Sequence, residues 1–314
     1  MGALGPVRYS RMAMGEMGAM GEMGERRSAI LYVTIDSTRD RGHYENLEGL
    51  RAAAAAASLP LSVEQVWWGD LLEHDAASLD ASRRPFMLFL AGSFTEWREY
   101  GSDLGWRAIL DSLCAVIRAT KTPILAVCGS HQLVARALGR DWEAVGHMVG
   151  GGAAPIAIAD ELTSPPRDLT PRPRLGEHGT FPFSVVDDAH DDPIFARGLA
   201  DQPLLHFTES HADRVLLEAT SPLFVPLVTP ARDEPAIELG DALAPKDRCA
   251  VQGLRLASDD RVLYGLQFHP ELRLHPDFAT SPNGDAARAL GTDGQTLLLN
   301  FFDVASAFWA RTEG

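Results

Sequence analysis

The chain has 314 residues, 46% of them hydrophobic and 23% charged, the balance of a globular protein and not of a disordered or fibrous one. Lys and Arg number 28 against 43 Asp and Glu, and the resulting net charge of −15 repels phosphate backbones and anionic lipid, so neither nucleic acid nor a membrane surface is expected as a partner. No apolar run nears the ~20 residues of a bilayer span, and three cysteines suit a reducing, cytoplasmic setting better than a disulfide framework.

Residues 1–27 repeat Met, Gly and Glu without a periodic apolar face and read as a disordered tail, leaving 28–314 as the folded region. Strands and helices then alternate. A β-branched run (29–35) precedes an Ala-rich helix (46–57), a period-two strand (61–68) and a continuous apolar strand (86–92). A helical pattern (105–120) leads into a second apolar strand (123–129), with a helix expected from about His131. Apolar strands separated by helices predict a doubly wound α/β fold, a mostly parallel sheet with helices on both faces. Beyond Gly150 come a Pro-rich insertion (162–179), additional β-like runs (181–186, 204–210, 224–229, 249–257 and 261–269) and a second Pro/Gly/Asp-rich stretch (274–291). An amphipathic helix from Gly294 closes the chain.

The segment "PILAVCGSHQL" carries the first chemical signal. A strand running into Cys128, followed by two small residues and a helix, is the corner that exposes a nucleophile at the top of a sheet. The helix N-terminus beyond it favours thiolate over thiol. Taken alone, Cys128 is equally well read as a small buried hydrophobe, as Cys114 and Cys249 are.

A thiol nucleophile needs a base, and the base an orienter. In "YGLQFHPEL", His269 and Glu271 stand two residues apart and share a face if the strand stays extended, so Glu271 can orient the imidazole toward Cys128. A solvent-facing His–Glu pair fits the same pattern. The ten histidines lack tight ligand spacings, and no metal site or cofactor is expected.

Together these motifs resemble the class I (triad) glutamine amidotransferases, supported by "FLAGS", "GEHG", "ESHADRV" and "GQTLLLNF" in the same order. The resemblance implies a flavodoxin-like fold, with Cys128 as nucleophile, His269 as base and acid, and Glu271 as orienter. It further implies an oxyanion hole at Gly92 and Gly129, and a glutamine pocket lined by Gln132, Ser210 and His211. The implied substrate is glutamine, with a separate ammonia-accepting synthase as partner. A γ-glutamyl peptide or amide hydrolase with the same triad, and a non-catalytic binding protein on this fold, remain alternatives. The chain departs from the family at Ala126 and Ser130, where glycine is usual, and at Gly92-Ser93 in place of two glycines. Ser130 is therefore expected to distort the corner or to slow turnover.

Overall fold

Apolar runs with no polar face end up at the centre of the sheet, where both sides are covered. The computed structural model describes residues 27–36, 43–94, 104–139, 145–149, 152–155, 176–211, 213–215, 224–231, 233–238, 251–258, 260–273, 285–286, 288 and 292–313. The N-terminal stretch to residue 26, most of both Pro-rich insertions, and Cys249 lie outside the described residues.

The first half alternates as β1 (Ala29–Thr34), α1 (Tyr44–Ala56), β2 (Ser62–Trp67), α2 (Ala76–Ser82), β3 (Met87–Leu90), α3 (Leu104–Ala119), β4 (Ile124–Val127) and α4 (Gly129–Leu138). Then come β5 (Val145–Val149), β6 (Gly152–Pro155), β7 (Glu177–Val185), β8 (Leu205–His211), β9 (Asp213–Val215), β10 (Phe224–Pro230), β11 (Ile237–Glu238), β12 (Gly253–Leu256) and β13 (Leu263–Leu266). Helix α5 (Gly294–Glu313) follows.

Among the described residues the main sheet has ten strands in the order β11-β7-β10-β12-β13-β4-β3-β1-β2, with β8 paired to β7. From β2 through β1, β3 and β4 to β13 every pairing is parallel. From β13 outward the pairings are antiparallel. The expected parallel core is present, and the additional strands extend it as an antiparallel wing. Strands β5, β6 and β9 form a separate small sheet.

Alternation along the strands explains the two helical layers. Ile30 and Tyr32 of β1, Phe89 of β3 and Val127 of β4 pack with α1 and α5. Leu31, Val33, Leu88, Leu90 and Ala126 pack on the opposite face with α2, α3 and α4. In α5 the buried stripe Leu297, Leu298, Phe301, Phe302, Ala305 and Phe308 follows helical spacing. Each large apolar side chain so buried contributes about 1.5–3 kcal/mol, which holds the C-terminal helix against the sheet. No helix among the described residues is long and apolar enough to cross a membrane.

Candidate active site

Strand β4 delivers Cys128 to the carboxyl edge of the parallel core. Its N–H still donates to the Leu266 carbonyl (2.7 Å), as if the strand continued. The backbone then turns sharply: Cys128 has φ +51°, a conformation costly for a residue with a Cβ. Helix α4 begins at the next residue, two earlier than the sequence pattern implies, so Cys128 is itself the N-cap and lies at the positive end of the helix.

Two glycines let the neighbouring chain close over this corner. A Cβ at Gly129 would stand 2.9 Å from Ser93 Cβ and 3.0 Å from Ser93 N, so the elbow packs directly on the segment after β3. A Cβ at Gly92 would stand 3.3 Å from Cys128 Cβ and 3.0 Å from His269 Cε1. Gly92 thus marks the point on which the thiol and the imidazole converge. Ser130, expected to strain the corner, is fully buried and donates its hydroxyl to the Ala91 carbonyl (2.5 Å). That bond gives the extra atoms a place instead of a clash.

His269 and Glu271 do meet, but not on an extended strand. β13 ends at Leu266, His269 forms an isolated bridge to Thr208, and Pro270 and Glu271 turn back so that the Leu272 N–H donates to the His269 carbonyl (3.2 Å). The turn, not strand alternation, brings His269 Nδ1 to 2.8 Å from Glu271 Oε1. Burial works against the imidazolium, yet it is outweighed by the Glu271 carboxylate, by the Cys128 sulfur and by hydrogen bonds to both. The His269 pKa is pushed up to about 10. Asn46, on the first turn of α1, donates to the same Glu271 oxygen (2.6 Å) and lies 3.3 Å from His269 Nδ1.

The remaining sequence-predicted residues divide between cleft and interior. The Ser210 carbonyl lies 3.6 Å from Cys128 Sγ and its hydroxyl 3.3 Å from His178 Nδ1, so Ser210 borders the thiol. Gln132 donates to the Asp213 carbonyl (2.7 Å) and to Gln267 Oε1 (3.1 Å), tying α4 to β9 and to the end of β13. His211, next to Ser210 and so on the other face of β8, engages Glu177 Oε2 (3.2 Å) and Glu209 Oε1 (3.3 Å). Glu177, Glu209 and His211 are the one group among the described residues whose ligand atoms, all within 4.8 Å, could converge on a cation. Burial disfavours the charged imidazole of His211, but the Glu209 and Glu177 carboxylates outweigh it and raise its pKa well above the usual value, so imidazolium supplies positive charge there. The register that pairs Glu177 with His211 and Gly179 with Glu209 builds this cluster from residues far apart in sequence, which is why their spacing gave no sign of it.

No protein-family model and no curated protein matches the sequence. Solved structures do. One from Thermoplasma acidophilum, assigned as part of a GMP synthase, is 17% identical over 93% of this chain and 100% of its own, with a TM-score of 0.55. A glutamine amidotransferase from Thermotoga maritima is 13% identical over 89% of this chain and 98% of its own (TM-score 0.53). The glutaminase domain of Trypanosoma brucei CTP synthase, solved with bound acivicin, is 17% identical over 89% of this chain and 94% of its own (TM-score 0.52). The fold is therefore the flavodoxin-like α/β fold of glutamine amidotransferases.

Proposed function

We propose that residues 28–314 form a class I glutamine amidotransferase-type hydrolase that releases ammonia from the side-chain amide of glutamine. The observation that carries this reading is the convergence of Cys128 and His269 above Gly92, with Glu271 behind the imidazole. A thiol at a helix N-terminus, an imidazole and a buried carboxylate form the triad that acyl transfer from an amide requires.

The Cys128 thiolate attacks the amide carbonyl carbon, and the carbonyl oxygen takes the negative charge. The backbone N–H groups of Gly92 and Gly129 stabilise it; each such donor is worth about 10²–10³ in rate. His269 holds its proton at neutral pH, passes it to the departing nitrogen, and ammonia leaves as the tetrahedral adduct collapses to a γ-glutamyl thioester. Water, deprotonated by the now neutral His269, attacks the thioester and releases glutamate, and the thiolate–imidazolium pair is restored. Ser210, Gln132 and His211 are assigned to the glutamine pocket, Ser210 through the edge of β8 and the other two by holding the elements around it. Two of the similar structures belong to a GMP synthase and a CTP synthase, and by that likeness the ammonia is passed to a separate synthase.

The test is glutamate release from glutamine and from a panel of N-substituted γ-glutamyl amides, the leaving group being ammonia from the first and an amine from the others. Turnover of glutamine by the parent and none by Cys128→Ala supports the proposal. Turnover confined to the substituted amides would replace it with a γ-glutamyl hydrolase.

A further inference from the structure

Hydrogen bonds from two sides brace the strand end that carries Gly92, and the reaction sequence above uses none of them. On one side, Ser130 donates to the carbonyl of Ala91 at 2.5 Å. The Ala91 carbonyl and the Gly92 N–H belong to one planar trans peptide and point in opposite directions, so fixing the first fixes the aim of the second. On the other side, Asp36 Oδ1 accepts the Phe94 N–H (2.6 Å) and the Ser93 hydroxyl (3.3 Å), which sets the Ser93–Phe94 peptide.

Asp36 is itself held. Its second oxygen, Oδ2, accepts from His43 Nε2 (2.6 Å), and His43 Nδ1 meets the Tyr32 hydroxyl at 3.1 Å. Asp36 is 1% exposed and His43 3% exposed. A carboxylate this deep is tolerated because both oxygens are spent on partners. The His43 ring also packs against the Phe94 ring, with centroids 5.0 Å apart. His43 immediately precedes α1, and Asn46 on the first turn of that helix serves Glu271. One helix start therefore reaches both sides of the cleft.

We propose that Ser130 and the His43-held Asp36 are positioning residues that clamp residues 91–94 from both sides, aiming the backbone N–H groups between them at the developing oxyanion. The inference rests on the reading of the cleft given above. Ser130 thereby gains a purpose at a position where the resembling family carries glycine, since glycine offers no hydroxyl to Ala91. A displacement of about 1 Å in such a site costs roughly 100-fold in rate, so loss of either clasp shows in kcat before it shows in KM.

The experiment compares the parent with Ser130→Ala, Asp36→Ala and Asp36→Asn by three readouts. These are kcat and KM for glutamine, amide hydrogen exchange of residues 91–94, and the rate of Cys128 alkylation by iodoacetamide, a displacement that builds no oxyanion. Ser130→Ala and Asp36→Ala lower kcat about 10- to 100-fold with KM within threefold, speed exchange at 91–94, and leave alkylation within threefold of the parent. Asp36→Asn keeps an oxygen for the Phe94 N–H and retains most of the parent kcat. Equal losses in alkylation and in kcat would mean a displaced elbow and overturn the inference, as would alanine variants with parental kcat. A parent that alkylates at Cys128 but releases no ammonia overturns both this inference and the reading it rests on; an active parent with unaffected variants overturns the inference alone.

Discussion

Asn46 donates to Glu271 Oε1 over 2.6 Å, onto the same oxygen that accepts from His269 at 2.8 Å. The two residues are 225 positions apart and meet because α1 packs against the turn after β13. Asn46 fixes the carboxylate that fixes the imidazole, and hydrogen bonds to a charged group are worth about 1.5–3 kcal/mol. Asn46→Ala should lower kcat for glutamine by about 10- to 100-fold with little change in KM, measured by steady-state ammonia release. An unchanged kcat would remove Asn46 from the site.

Gly49 in α1 and Gly294 at the start of α5 hold the same turn from two directions. A Cβ at Gly49 would overlap the Glu271 carbonyl oxygen, and one at Gly294 the Pro270 carbonyl. Helix propensity alone predicts that Gly49→Ala stabilises by ~1 kcal/mol. The overlap is with backbone, which cannot swing aside, and overpacking of that kind costs about 1–3 kcal/mol or more. Thermal denaturation should therefore show both Gly→Ala variants melting below the parent.

The pH dependence follows from His269, whose pKa of about 10 lies above the unfolded value of 6.5. A raised histidine pKa gives stability that is complete below about 6.5 and is lost as pH rises through about 10. Activity that needs the imidazolium shares this alkaline limit. The kcat profile should hold through neutrality and decline toward pH 10, and in Glu271→Gln, without the carboxylate, the decline should begin at lower pH. Glu271→Gln should also cost about 10⁴ in kcat, the loss seen when an orienting carboxylate is neutralised.

His131, fully buried on α4, behaves oppositely. Burial, helped by the nearby charge of His211, lowers its pKa to about 3. The folded chain resists a proton that the unfolded chain binds at 6.5, so stability falls as pH drops from about 6.5 toward 3. Urea denaturation at pH 7 and pH 5 should give a smaller difference in His131→Leu than in the parent.

What could be read from the sequence divides along physical lines. Cys128 was legible because a strand, a cysteine and a helix in succession form a local corner, although the helix begins earlier than apolar periodicity shows. His269 and Glu271 were legible as a pair for a reason that proved incorrect, since a turn joins them and not a shared strand face. Asn46, Asp36 and His43 gave no signal. "NLEGLRAAAAAA" advertises helix propensity, and only packing decides which side of that helix meets Glu271. Glu177, Glu209 and His211 were equally hidden, being assembled by strand register. The short strand β6, which reads Gly-Ala-Ala-Pro, lacks the β-branched run that marks a strand.

The central claim, that Cys128 is a nucleophile activated by His269 and acting on glutamine, is tested most directly by intact-mass and peptide mapping after treatment with a glutamine-mimicking alkylator. The account predicts one adduct, on Cys128, slowed by free glutamine and absent from Cys128→Ala, with buried Cys114 untouched. A folded parent left unmodified at saturating reagent, or modified equally well when His269 is replaced by alanine, would contradict it.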